Sequence, residues 1–121
     1  MTRYLGFDIG GTKCAVVLGE VAADGARVVA SQSFATRDTV GPEPTLARLV
    51  ALSRELLARH DWRLAEVAAL GISCGGPLDF RRGVVLSPPN LPGWDEVPLV
   101  AQCQERLGLP TRLMNDANAG A

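Results

Sequence analysis

The chain reads as an α/β domain built on a mixed sheet, and three features of its order predict this. An apolar strand-like run opens it and leads through glycine-rich turns into two more, a three-stranded meander. A segment with helical periodicity follows. The pattern then alternates strand, loop, helix and strand, as in a sheet extended by crossovers.

Tyr4–Ile9 is the first expected strand, followed by Gly10-Gly11, a pair of the kind that closes tight hairpins. Cys14–Leu18 is the second, and after a turn at Asp24-Gly25 the third runs from Arg27 to Phe34. A loop with Gly41-Pro42 precedes a helix over roughly residues 43 to 60, where Leu46, Leu49, Val50, Leu56 and Leu57 recur on one side. Arg48, Arg54, Glu55 and Arg59 take its wet side, and His60 falls in its last turn, where a cation complements the helix dipole.

Val67–Ser73 is almost continuously apolar, the mark of a central parallel strand covered on both faces. It runs into a turn at Gly75-Gly76-Pro77, and Gly83–Leu86 is a short strand. The proline-dense stretch from Ser87 to Trp94 is a loop, because proline at that density joins neither a sheet nor a helix interior. Trp94 within it is expected to plug the loop into the core, with stacking on a sugar face as the alternative. Pro98–Leu107 is a helix stopped by Gly108, and Thr111–Met114 a last strand ending at Asn115-Asp116.

Composition narrows the function. The chain has 121 residues, 47% hydrophobic and 21% charged, room for one domain with a real core. Its formal net charge of -1 lacks the basic footprint that binding to nucleic acid or an anionic membrane leaves. No apolar run approaches a bilayer span, and because Met1-Thr2-Arg3 leads straight into the first strand no secretory signal is expected. Cys14, Cys74 and Cys103 are widely spaced and odd in number, which speaks against a disulfide framework or zinc site and for buried thiols in a reducing cytoplasm.

Three segments carry chemistry, each at the carboxyl end of an expected strand, where open α/β sheets gather ligands. Gly6-Phe7-Asp8-Ile9-Gly10-Gly11-Thr12-Lys13 is neither a dinucleotide fingerprint nor a P-loop, since a strand follows where both need a helix. Its residue types nevertheless suit phosphate: Gly10 and Gly11 let backbone N–H groups approach, Thr12 adds a hydroxyl, Lys13 a charge, and Asp8 is placed to engage a phosphate-bound Mg²⁺ directly or through water. A plain Gly-Gly hairpin, with Asp8 capping the turn, accounts for the segment equally well. In Asn115-Asp116-Ala117-Asn118, Asp116 reads either as a helix N-cap or as a general base taking a proton from a hydroxyl held by Asn115. The third segment, from Gly75-Gly76-Pro77 through Asn90 to Trp94, offers a backbone turn and an amide suited to a polyhydroxylated ligand.

Taken in order, Asp8–Lys13, Gly71–Asp79, Gly83–Leu86, Pro89-Asn90-Leu91 and Asn115–Asn118 resemble the ROK sugar kinases over nearly the whole chain. The resemblance implies a glucokinase-like enzyme with the actin/Hsp70-type (ribonuclease H-like) ATPase fold, using ATP and Mg²⁺ on a hexose. It implies that Asp8, Gly10, Gly11, Thr12 and Lys13 form the first phosphate loop, that Gly76, Asn90 and Asn115 surround the sugar, and that Asp116 is the catalytic base. Gly75 departs from the proline usual in glucokinase-like members. The family's zinc signature, its further sugar-contacting residues and its adenosine-binding lobe have no counterpart here. With seven residues before Asp8, the repressor branch, which carries a DNA-binding helix-turn-helix ahead of the phosphate loop, is not the one expected. Residues 1–121 are therefore expected to be the N-terminal lobe of a cytoplasmic kinase roughly twice as long, inactive alone, whose parent binds zinc, if at all, in the missing part and forms a homodimer. The alternative is a sugar-binding or regulatory module without phosphoryl transfer.

Overall fold

The computed structural model describes residues 1–75, 77–86, 88 and 91–115, the last of these through its backbone. Strands β1 (Thr2–Ile9), β2 (Lys13–Ala22) and β3 (Gly25–Ala35) form the expected antiparallel meander. Helix α1 (Pro42–Arg59) leads to β4 (Val67–Cys74), which pairs parallel to β1. A small hairpin, β5 (Leu78–Asp79) and β6 (Val84–Val85), precedes α2 (Leu99–Leu107) and β7 (Thr111–Asn115), which pairs parallel to β4. The main sheet runs β3-β2-β1-β4-β7, an α/β mixed sheet of the expected class.

Side-chain alternation explains which face the helices cover. Leu5, Phe7 and Ile9 stand opposite Leu18, Val16 and Cys14 on β2 and beside Leu70, Ile72 and Cys74 on β4. All nine are buried, in one cluster with Leu46, Leu49 and Leu56 of α1 and Leu99, Cys103 and Leu107 of α2. Alternate positions point to the other face, and there Tyr4, Asp8 and Arg112 are exposed. β4 is therefore not covered evenly on both faces as its apolar run suggests: Gly71 and Ala69 lie on the more open side.

Local chemistry ends each helix. Proline occupies the first turn of α1 after Gly41, whose φ of 91° few other residues adopt, and the Thr45 hydroxyl donates to the Gly41 carbonyl at 2.8 Å. His60 is the C-cap rather than part of the last turn, and the Trp62 amide closes the end on Leu57 O at 2.9 Å. Gly108, left-handed at φ 68°, stops α2 and donates to Gln104 O at 2.7 Å. Trp94 is 2% exposed, in the core as expected. The three cysteines are buried, and burial pushes the Cys103 thiol up to about 11, which leaves it inert at neutral pH. No helix among the described residues is long and apolar enough to cross a membrane.

At the end of the meander remote from the strand-end loops, the buried Glu20 accepts two hydrogen bonds from Arg27, at 3.0 and 2.8 Å, with Arg3 at 3.6 Å. The Arg27 hydrogen bond, then the charges of Arg27 and Arg3, hold its carboxyl below the usual glutamate value against the opposing effect of burial. A lowered folded-state value contributes stability above the ordinary carboxylate range, and that contribution disappears as pH falls through the folded value. Arg27→Gln is therefore expected to lower the urea midpoint at neutral pH and to leave it unchanged in acid below that value. An equal loss at both pH values would remove the ion pair as the cause.

Candidate active site

Strand register brings the chemistry-bearing segments to one edge. Ile9, Cys74 and Asn115, the last residues of β1, β4 and β7, are consecutive partners across three parallel strands. Neighbouring strands lie ~4.8 Å apart, so the carboxyl ends of β1 and β7 are separated by about 10 Å. Asp8, one step back, pairs with Ser73, and Ser73 with Met114. Asp8 is exposed on the face opposite the helices, and Lys13, two positions before its partner Ala15, shares that face.

The loop between β1 and β2 differs from a two-residue hairpin. Four residues, Gly10 to Lys13, separate the paired Ile9 and Cys14, and the Gly10 amide donates to Lys13 O at 3.1 Å. Gly10 and Gly11 are not among the residues with positive φ, so the pair is not there to reach the left-handed region. Close approach explains Gly10 instead: a Cβ there would stand 2.9 Å from the Lys13 carbonyl oxygen.

The loop's carbonyls are tied down from outside it. Thr36 begins a single-turn 3-10 helix, Thr36–Asp38, directly after β3. Its hydroxyl donates to Gly10 O at 2.7 Å and its amide to Thr12 O at 2.9 Å. With the Gly10 and Thr12 carbonyls taken by Thr36 and the Lys13 carbonyl by the Gly10 amide, and with the Thr12 hydroxyl and Lys13 nearby, the loop suits anionic oxygen rather than a cation.

A cavity of about 250 Å³ joins this loop to the proline-rich one, lined by Gly11, Thr36 and Arg37 on one side and by Leu91, Pro92 and Trp94 on the other. The first and third segments thus meet. Arg37 adds an exposed guanidinium that motif reading missed, for it follows a strand without any glycine signature. A larger hollow of about 460 Å³ lies over Tyr4, Gly71 and Met114 on the open face, away from the loop.

Of the expected site residues, Asp8, Gly10, Gly11, Thr12 and Lys13 come together around the β1–β2 turn, and the backbone of Asn115 ends β7 on the same edge. Gly76, Asn90 and Asp116 lie outside the described residues. Among the described residues no three His, Cys, Asp or Glu side chains cluster as a metal cage. One carboxylate beside a phosphate-type loop fits Mg²⁺ carried mainly by phosphate oxygens and water, the mode this ion favours.

Comparison with known proteins agrees with this architecture. The ROK family profile matches residues 4–121. The chain belongs to the ROK family. A glucokinase from Thermotoga maritima is 34% identical over 120 residues, covering 97% of this chain and 34% of that protein. The crystal structure of a ROK hexokinase from Thermus thermophilus superposes with a TM-score of 0.83 at 32% identity, over 99% of this chain and 37% of that one. A ROK family transcriptional regulator, a homologue of the E. coli MLC protein, shares the fold with a TM-score of 0.80 at 20% identity, over 97% of this chain and 28% of that one. The ROK chain thus spans about a third of the length of such relatives. Its fold is that of the ROK sugar kinases, the actin/Hsp70-type α/β architecture.

Proposed function

We propose that the protein to which this lobe belongs transfers the γ-phosphoryl group of ATP to a hexose hydroxyl, the one on C6. The observation that carries this reading is the convergence of the glycine loop Gly10–Lys13, its carbonyls held by Thr36, with the carboxyl ends of β4 and β7 on one sheet edge. A glucokinase and a ROK hexokinase among the relatives support it.

In this reading the phosphate chain rests on Gly10, Gly11, Thr12 and Lys13, and Gly76, Asn90 and Asn115 hold the sugar. Asp116 accepts the hydroxyl proton while the hydroxyl oxygen forms its bond to the γ-phosphorus and the bond to the ADP oxygen breaks. Mg²⁺, when bound, neutralises the phosphate oxygens, and Asp8 is the residue that would hold it through water. The 121-residue lobe alone leaves the nucleotide without adenosine contacts and the reacting groups open to water. Three buried cysteines, odd in number and widely spaced, suit a reducing cytoplasm. A zinc site, if any, and a homodimer interface belong to the remainder of the protein.

A coupled assay over a panel of hexoses tests this. The lobe alone is expected to show no turnover, and a product extended to the length of its relatives to phosphorylate at least one hexose. Turnover by the lobe at the rate of the extended product would overturn the first claim. Sugar binding by the extended product without transfer would overturn the second, and would favour a regulatory module, a use of the fold that the ROK transcriptional regulator illustrates.

A further inference from the structure

Thr36 lies 26 residues along the chain from Gly10, yet its hydroxyl is 2.7 Å from the Gly10 carbonyl oxygen and 3.4 Å from the Cys14 sulfur. The Gly10–Gly11 peptide is held by this bond. In a trans peptide the C=O and the following N–H point in opposite directions, so anchoring the Gly10 carbonyl on Thr36 turns the Gly11 N–H away from it. A second bond, from the Thr36 amide to Thr12 O at 2.9 Å, fixes the far side of the loop. The anchor is itself supported. The Thr39 amide donates to Thr36 O at 3.1 Å, and the Thr39 and Thr45 hydroxyls meet at 2.9 Å at the start of α1.

We propose that Thr36 is a positioning residue for the phosphate loop, setting through two carbonyls the direction in which the loop presents its N–H groups. The proposal rests on the phosphate reading of Gly10–Lys13. Valine at position 36 keeps the shape and the backbone amide but removes the hydroxyl, leaving the Gly10 carbonyl with the long contact to the Cys14 thiol, at 4.0 Å, in place of the short bond and the Gly11 peptide freer to rotate. Serine keeps the hydroxyl.

The test uses the ¹⁵N-labelled chain as it stands, titrated with MgATP and separately with inorganic tripolyphosphate while backbone amides are followed by NMR. In the wild-type chain the Gly11 and Thr12 signals are expected to shift and saturate. Thr36→Ser should match it within a factor of about two, and Thr36→Val should bind about tenfold more weakly or worse, the size of one charge-assisted hydrogen bond. Signals remote from the loop should stay unchanged. Should Thr36→Val lose its native spectrum, Thr36→Ala, which brings no branched methyl, takes its place. Equal affinity in the hydroxyl-free variant and the wild type overturns the role of Thr36 and leaves the phosphate reading intact. Loop signals that respond to neither phosphate in the wild type overturn both.

Discussion

Replacing Asp116 by asparagine in a product extended to the length of the relatives should lower kcat for the hexose by ~10²–10⁴-fold, the range that a positioned general base supplies. That corresponds to about 3–5 kcal/mol of transition-state stabilisation. Asparagine is nearly isosteric and still hydrogen-bonds, but it has no lone pair basic enough to take the hydroxyl proton. Sugar binding therefore survives, and the loss falls on kcat rather than on KM. Wild-type activity should decline in acid as the base becomes protonated, and the residual activity of Asp116→Asn should lack that decline. An unchanged kcat would show that the base lies elsewhere. A kcat loss accompanied by loss of sugar affinity would instead make Asp116 an N-cap, the other reading open to a carboxylate directly after β7.

Much of this site is legible in the chain because its supports are strands, whose apolar runs are local signals. Leu5, Phe7 and Ile9 alternate with polar or small neighbours, and Val67–Cys74 reads as a strand before any partner is known. Once β1, β4 and β7 are parallel, their last residues must lie abreast, so the placement of Asp8 near Asn115 follows from topology alone. What escapes is whatever depends on contacts distant in sequence. Thr36 is an unremarkable threonine until the meander folds its end back against Gly10. The strand Leu78–Asp79 has two residues and no period of its own, being set by pairing with Val84-Val85. Gly83 there is demanded by a φ of 65° and by Val100, whose side chain an added Cβ would overlap at 2.6 Å. Gly10 sits at a turn as its sequence signals, and what requires glycine there is a carbonyl oxygen 2.9 Å from where a Cβ would stand, a contact invisible in the sequence.

Trp94→Ala should cost ~3–5 kcal/mol, as truncation of a fully buried aromatic side chain does. The indole is 2% exposed and packs with Leu91, Val97 and Leu99 in the core cluster. A domain of this kind has only about 5–15 kcal/mol of net stability, so the loss is a large fraction of the whole. The consequence reaches the site because Trp94 is also a wall of the cavity shared with Gly11 and Arg37. Its neighbours Leu91 and Pro92 belong to the loop that follows Asn90, and the Trp94 amide holds that loop in a turn by donating to Leu91 O at 3.3 Å. Removing the indole frees the loop before it unfolds the sheet, since β1, β2 and β4 keep their own buried rows. Urea unfolding should therefore show a lowered midpoint for Trp94→Ala and a smaller decrease for Trp94→Phe, which refills much of the volume. Trp62 remains as the fluorescent reporter in both. If Trp94→Ala leaves the midpoint where the wild type has it, the indole is not part of the core, and stacking against a sugar becomes the better account of its position.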